Sequence, residues 1–103
     1  MVKSIPLMKL IWSPSSIKSL KEIRKKIAAE STLSAEKVFN EIIHTAEQLP
    51  SNRARYPPDR FKKNNTGNHR AFEKYHYRVS YRIKETEIHI LTIRHVRQMP
   101  LEY

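Results

Sequence analysis

The sequence predicts an α+β protein with the element order β-αα-βββ, and three observations support this. A short apolar run at residues 7–12 comes first, two amphipathic helical stretches follow, and the last third of the chain alternates apolar and polar residues as β-strands do. Helices gathered before an antiparallel set of strands are typical of α+β folds. We therefore expect an N-terminal strand and a helical hairpin packed on one face of a small, mainly antiparallel sheet. The 103 residues suffice for one core, so a single domain over residues 1–103 is expected.

The first strand and the first helix are predicted from adjacent signals. Residues 7–12 are largely apolar, and Ser13 followed by Pro14 places a capping residue before a proline at the first helical position. Apolar residues then recur every three or four positions, which predicts an amphipathic helix to about Glu30.

The second helix is predicted to begin with a cap at Ser34 and to run to about Leu49, where Pro50 ends it. The short link between the helices indicates an antiparallel hairpin. Residues 51–68 are polar and contain paired prolines, paired asparagines and the only glycine. We expect this segment to be a mobile connection across the surface.

Three strands are predicted after this connection, at residues 69–74, 75–83 and 87–97, because these stretches are rich in β-branched and aromatic residues. Residues 85–86 are expected to form a two-residue turn. A turn of this length fixes the register of the last two strands.

This register predicts one cationic sheet face. It pairs Arg82 with His89, Ser80 with Leu91, Arg78 with Ile93 and His76 with His95. The side chains gathered on the face away from the core are then Arg78, Arg82, His89, His95 and Arg97. A slip of one residue turns every side chain of a strand to the other face, so this set depends on the register.

The chain is strongly basic, with twenty Lys and Arg residues against ten Asp and Glu and a formal net charge of +10. Residues 53–103 hold twelve of the basic residues and five of the acidic ones. A field of this sign attracts phosphate groups or an acidic protein.

Several classes of chemistry find no support. The sequence has no cysteine, which excludes disulfides and thiolate chemistry and fits a reducing compartment. The histidines lack metal-ligand spacing, and one glycine cannot build a phosphate-binding glycine loop, so no metal or cofactor is expected. No apolar run is long enough for a membrane helix and no secretory signal is recognisable, so we expect a cytoplasmic protein without a membrane partner.

Several segments and the order of elements together carry a family resemblance. The segments are Trp12-Ser13-Pro14, Tyr77-Arg78-Val79-Ser80-Tyr81-Arg82-Ile83, the alternating strand from residue 87 to 93, and Arg94-His95-Val96-Arg97. In these the chain resembles the RelE/ParE toxin superfamily, the toxins of type II toxin–antitoxin systems of the plasmid-stabilisation type. The resemblance implies a toxin whose partner is a cognate acidic antitoxin.

The family contains two target classes. RelE-like toxins cleave messenger RNA on the ribosome, whereas ParE-like toxins poison DNA gyrase and lack the nuclease residues. Matching to the nuclease pattern implies Arg78 as its sheet arginine, Arg97 as the arginine after the last strand, and Tyr103 as the tyrosine six residues later. The lysine pair of that pattern is missing, because residues 69–74 read His-Arg-Ala-Phe-Glu-Lys. This departure keeps the gyrase alternative open.

RNA cleavage without a metal needs fixed cations for the developing phosphorane charge, together with a general acid and a general base. Arg78 and Arg97 suit the first task, His69 or His95 the second, and Tyr103 can stack on a base or orient the attacking group. The cations expected to bind nucleic acid are Arg70, Lys74, Arg82, Lys62 and Lys63.

Three of the catalytic candidates also have a structural explanation. Arg78 can be a strand arginine paired with Glu73 or Glu87, His95 can bond the backbone, and Tyr103 can be a disordered terminal residue. The leading interpretation is a ribosome-dependent, metal-independent endoribonuclease (an mRNA interferase) that inhibits translation. The alternative is a gyrase-poisoning toxin without nuclease activity, and a third possibility is an inactive homologue that only binds antitoxin.

Overall fold

The computed structural model describes residues 8–98 and 102–103. Its elements are β1 (Lys9–Trp12), α1 (Pro14–Ala28), α2 (Thr32–Glu47), a 3-10 turn (Leu49–Ser51), β2 (His69–Lys74), β3 (Tyr77–Ile83) and β4 (Glu87–His95). Residue 7, expected to begin β1, and the N-terminal residues considered for a secretory signal lie outside the described part. Within that part, no helix is both long enough and apolar enough to cross a membrane.

The four strands form one sheet in the order β1-β4-β3-β2. β1 pairs with β4 in parallel, and the other two pairings are antiparallel. α1 packs on β4 and α2 packs beside α1, reaching β2. The predicted α+β architecture, with a helical hairpin on one sheet face, is confirmed. Its core is made of fully buried side chains from helix and sheet, including Ile42, Leu49, Val79, Tyr81, Ile88 and Ile90.

The two helices begin with serine caps that make the same hydrogen bond. The Oγ of Ser13 accepts a hydrogen bond from the backbone N–H of Ser16 at 3.0 Å, as predicted for α1. The cap of α2 is Ser31, whose Oγ accepts from the N–H of Ser34 at 3.1 Å. The prediction of Ser34 as the cap was wrong, since α1 already ends at Ala28 and the extended residue at the start of α2 is Ser31.

The turn between β2 and β3 consists of Tyr75 and His76, flanked by the paired residues Lys74 and Tyr77. Both turn residues have positive φ, 51° for Tyr75 and 69° for His76, as a type I′ hairpin turn requires. The expectation that β3 starts at Tyr75 was therefore wrong. Neither residue is the glycine or asparagine that usually indicates such a turn.

The turn between β3 and β4 has the predicted length. The N–H of Lys84 donates to the carbonyl of Glu87 at 2.8 Å, so residues 85–86 form a two-residue connection. Arg82 lies opposite His89, as expected from this turn.

A β-bulge changes the register beyond this point. Leu91 is an extra residue in β4, because Tyr81 lies opposite Ile90 whereas Ser80 lies opposite Thr92. The carbonyl of Leu91 accepts a hydrogen bond from the hydroxyl of Ser13 at 2.9 Å, so the cap of α1 also holds the bulge.

The bulge overturns the rest of the predicted register. Arg78 lies opposite Arg94 instead of Ile93, and His95 lies opposite Tyr77 instead of His76. Residues that are directly opposite share a sheet face. His95 therefore lies on the face covered by the helices, and the prediction that it shares a face with Arg78 was wrong. Arg94 is the residue beside Arg78.

The two serines of the second cap allow a matched test. We expect Ser31→Ala to lower the free energy of unfolding by about 1 kcal/mol, because the N–H of Ser34 loses its partner. We expect Ser34→Ala to change it by no more than about 0.5 kcal/mol, because the Ser34 side chain is exposed. Urea denaturation followed by circular dichroism measures both. Equal effects of the two substitutions would contradict the assigned cap.

Candidate functional site

The candidate site lies on the sheet face that points away from the helices, which we call the distal face. Register pairs define it: His69 with Arg82, Ala71 with Ser80, and Glu73 with Arg78. On β4 the bulge adds Thr92 opposite Ser80 and Arg94 opposite Arg78. The distal face therefore carries cations, as predicted, but a carboxylate and an alanine lie among them.

Asp59 inserts its carboxylate over the centre of the distal face. The residue is only 2% exposed, and its carboxylate accepts four hydrogen bonds. The donors are Arg78 Nη2 at 2.7 Å, Tyr103 Oη at 2.7 Å, Ser80 Oγ at 3.2 Å and the Phe61 backbone N–H at 3.1 Å. Sequence reasoning missed this residue. The available signal was its isolation, since Asp59 is the only acidic residue between Glu47 and Glu73.

Burial alone raises the pKa of Asp59, because it disfavours the charged form. The hydrogen bonds from Arg78, Tyr103 and the Phe61 N–H, together with the charge of Arg78, act in the opposite direction and prevail. The pKa of Asp59 therefore lies below its ordinary value, and the buried side chain is a carboxylate at neutral pH.

The segment that carries Asp59 is irregular, as predicted, but it is fastened to the sheet. The N–H of Asp59 donates to the His69 carbonyl at 2.8 Å. The Asn65 amide donates to the same carbonyl at 2.8 Å and accepts from the N–H of Gly67 at 2.9 Å. Gly67 has φ 100°, a backbone conformation that residues other than glycine rarely adopt.

Tyr103 is bound to this segment through its backbone as well as its side chain. Its N–H donates to the Phe61 carbonyl at 3.0 Å, and its carbonyl accepts from the Lys63 N–H at 2.9 Å. Burial, followed by the hydrogen bond to Asp59, raises the pKa of the phenol. Tyr103 is consequently a protonated donor at neutral pH.

The guanidinium of Arg78 lies between two carboxylates. Nη2 contacts Asp59 at 2.7 Å and Nη1 contacts Glu73 at 2.6 Å. The group also lies 4.8 Å from the ring centre of Phe61, and the side chain is only 12% exposed. Of the two carboxylates considered as structural partners, Glu73 is the one used, whereas Glu87 pairs with His89. Arg78 and its two partners together carry one net negative charge.

Some of the predicted site residues do meet at one end of the distal face. The His69 ring lies 6.1 Å from the Tyr103 ring, and the ammonium of Lys62 lies 5.5 Å from the same ring. Arg82 is opposite His69 on the neighbouring strand. Burial lowers the pKa of His69, and the charges of Lys62 and Arg82 add to this, so its imidazole is neutral at neutral pH.

The other predicted site residues lie elsewhere. The His95 ring contacts Tyr77 at 5.3 Å on the helix-covered face. Arg70 donates to the carbonyls of Tyr56 and Gly67, which is a structural role. Lys74 faces a cavity on the helix side, Lys63 approaches Glu102 at 3.9 Å, and Arg97 is exposed in the turn after β4. Among residues 8–98 and 102–103, no three His, Asp or Glu side chains are grouped as a metal site requires.

The Asp59 network predicts two very different effects of removing a carboxylate. We expect Asp59→Asn to destabilise the protein by about 3–5 kcal/mol, because it breaks a buried ion pair. Glu73→Gln removes the second partner of Arg78 but lies at the surface, so we expect a loss below about 1 kcal/mol. Urea denaturation compares the two variants. A similar small loss for both would show that Asp59 is not structurally essential.

The lowered pKa of Asp59 also predicts a pH dependence. The unfolded chain takes up this proton near the ordinary value of 3.8, before the folded protein does. The stability contributed by Asp59 is thus present above that pH and is lost as the pH falls through the lower folded-state pKa. We expect the difference in unfolding free energy between wild type and Asp59→Asn to shrink on acidification from about pH 6 to about pH 3. A difference that stays constant over this range would be inconsistent with the assignment.

Comparison with known proteins assigns the chain to a family. Residues 10–100 match the family model described as the ParE toxin of the type II toxin–antitoxin system parDE. A sequence comparison with curated proteins gives no match.

Three solved structures share the fold. A structure of the chromosomal ParDE toxin–antitoxin system from P. aeruginosa has a TM-score of 0.70 and 19% identity, covering 88% of this chain and 98% of that one. The toxin–antitoxin complex RelBE2 from Mycobacterium tuberculosis has a TM-score of 0.61 and 18% identity, covering 88% and 99%. The YoeB dimer from Staphylococcus aureus has a TM-score of 0.60 and 14% identity, covering 85% and 95%.

These likenesses establish a shared fold, and the family match spans nearly the whole chain. They confirm the expected relation to the RelE/ParE superfamily. The protein belongs to the ParE toxin family of type II toxin–antitoxin systems.

Proposed function

We propose that this toxin inhibits growth by binding and poisoning DNA gyrase, the alternative target class of the superfamily, and that it does not cleave messenger RNA. The observation that carries the proposal is the pairing of Arg78 with two carboxylates. Its guanidinium is held by Asp59 and Glu73 and is only 12% exposed. A nuclease needs net positive charge at this place to stabilise the phosphorane. Arg78, its two carboxylates and the neighbouring Arg94 together carry no net charge, so this place lacks the excess positive charge that attracts a phosphodiester.

The composition of β2 supports the same conclusion. The resemblance places two lysines, two residues apart, on this strand in the nuclease class. The distal-face positions of β2 are here His69, Ala71 and Glu73. An alanine and a carboxylate therefore lie beside Ser80 and Arg78, and neither supplies the missing ammonium groups.

Two further catalytic candidates have surroundings that do not favour proton transfer to RNA. The Tyr103 hydroxyl donates to Asp59 at 2.7 Å, and its raised pKa prevents it from acting as a base at neutral pH. His95 lies on the opposite face of the sheet from Arg78. A toxin that acts by binding needs neither group to be reactive.

A cognate acidic antitoxin is the second partner that we propose. The family description supports it, and so does the net charge of +10, which attracts an acidic segment that is disordered until bound. Gyrase and antitoxin are intracellular proteins, so the proposal places the toxin in the cytoplasm.

Ribosome-dependent cleavage of messenger RNA is the second candidate function, and one observation favours it. His69 is neutral at neutral pH, lies beside Tyr103 and is next to the cations Lys62 and Arg82. A neutral imidazole in a cationic environment can act as a general base towards an RNA 2′-hydroxyl.

Two assays separate these candidates. With purified gyrase, plasmid and ATP, we expect the toxin to cause accumulation of relaxed or cleaved plasmid, and no such effect when gyrase is omitted. In a translating extract we expect messenger RNA to stay intact. Cleavage of the message that falls strongly in Arg97→Ala or His69→Ala would instead establish the nuclease candidate. No growth inhibition on induction, with neither activity in vitro, would identify an inactive homologue.

A further inference from the structure

A cationic cavity lies on the helix side of the sheet, where the end of α2 and the following 3-10 turn approach the end of β2. Its volume is about 350 Å³. The basic side chains that line it are His44, Arg55 and Lys74, and no described carboxylate lines it. It is separated by the sheet from the distal face and from the residues matched to the nuclease pattern.

Two cations of this cavity have no carboxylate partner in the described part of the chain. Arg24 and Arg78 bind carboxylates, and Arg70 binds backbone carbonyls. The half-buried residue Lys74, by contrast, has no ion pair or side-chain hydrogen bond with any residue in the described part of the chain. The Arg55 guanidinium contacts the ring of Tyr56, 5.6 Å from its centre, and likewise meets no described carboxylate.

Lys74 is half-buried and Arg55 is exposed, and the positive charges of both attract an anion into the cavity. The remaining lining fits an anion with several acceptor oxygens, since Ser51 and Asn52 supply hydroxyl and amide donors beside Arg55. The buried Leu49 supplies an apolar wall for an uncharged portion of the ligand. The volume is within the range of small-molecule sites and leaves room beyond a bare phosphate.

From these observations we infer that the cavity binds a phosphorylated small molecule of about mononucleotide size, with its phosphate held by Arg55 and Lys74. A concave site suits such a ligand better than an acidic protein surface, which requires an extended cationic patch. This inference does not depend on the toxin's target, because the cavity and the distal face are on opposite sides of the sheet.

The test uses the whole chain, with adenosine 5′-monophosphate as the probe. Binding is measured from changes in the amide chemical shifts in two-dimensional NMR spectra. We expect saturable shifts at residues 44–56 and at Lys74. Adenosine without the phosphate should cause none, and inorganic phosphate should bind more weakly than the nucleotide. Equal affinity for inorganic phosphate would overturn the inference that an organic portion is bound.

Matched variants separate a built site from general charge attraction. Lys74→Gln should weaken nucleotide binding by about tenfold or more, because it removes a charged hydrogen bond. Lys84→Gln removes the same charge at an exposed residue, at the opposite end of β3 from Lys74, and should leave the affinity unchanged. Equal losses in the two variants, or shifts spread over the distal face, would overturn the proposal. The proposal would also be overturned if an Asp- and Glu-rich peptide shifted the same amide signals and the nucleotide did not.

Discussion

The buried carboxylate of Asp59 holds together three parts of the chain that local structure alone leaves apart. It joins the irregular segment after α2, the centre of β3 through Arg78 and Ser80, and the terminal residue Tyr103. It is the only charged side chain among the buried residues of the described chain. A carboxylate removed from water is tolerated only when donors replace its hydration, and four donors do so here. The covering of the distal face depends on this arrangement.

The same interaction determines how the strong positive charge of the protein is distributed. Arg78, central on the distal face, is neutralised by Asp59 and Glu73. Lys62 and Arg82 remain at the His69 end of that face, whereas Arg55 and Lys74 line a cavity on the other side of the sheet. In the described part of the chain, cations therefore lie on both sides of the sheet, and Arg78 at the centre of the distal face is paired with carboxylates. The proposal of a protein target rests on this division of the cations.

The bulge at Leu91 has a comparable effect on the position of the histidines. It adds one residue to β4 and so reverses the faces of Thr92 to His95, the residues of the strand that follow it. The hydroxyl of Ser13 binds the Leu91 carbonyl, so the start of α1 and the irregularity of β4 stabilise each other. Because of this contact, His95 packs against Tyr77 under the helices and Arg94 lies next to Arg78.

Much of the fold was determined by the sequence itself, because helices and strands follow from periodicities within ten to fifteen neighbouring residues. The Ser13-Pro14 start of α1, the span of β2, the 85–86 turn and the helical hairpin on one sheet face were all predictable on this basis. The family resemblance was also visible in local segments. Three features were decided only by the tertiary structure: the Asp59 network, the bulge at Leu91 and the left-handed turn at Tyr75 and His76. Asp59 meets Arg78 and Tyr103 from 19 and 44 residues away, and Ser13 meets Leu91 from 78 residues away. Contacts over such separations depend on the packing of helices, sheet and connection together, and no local pattern in the sequence encodes them.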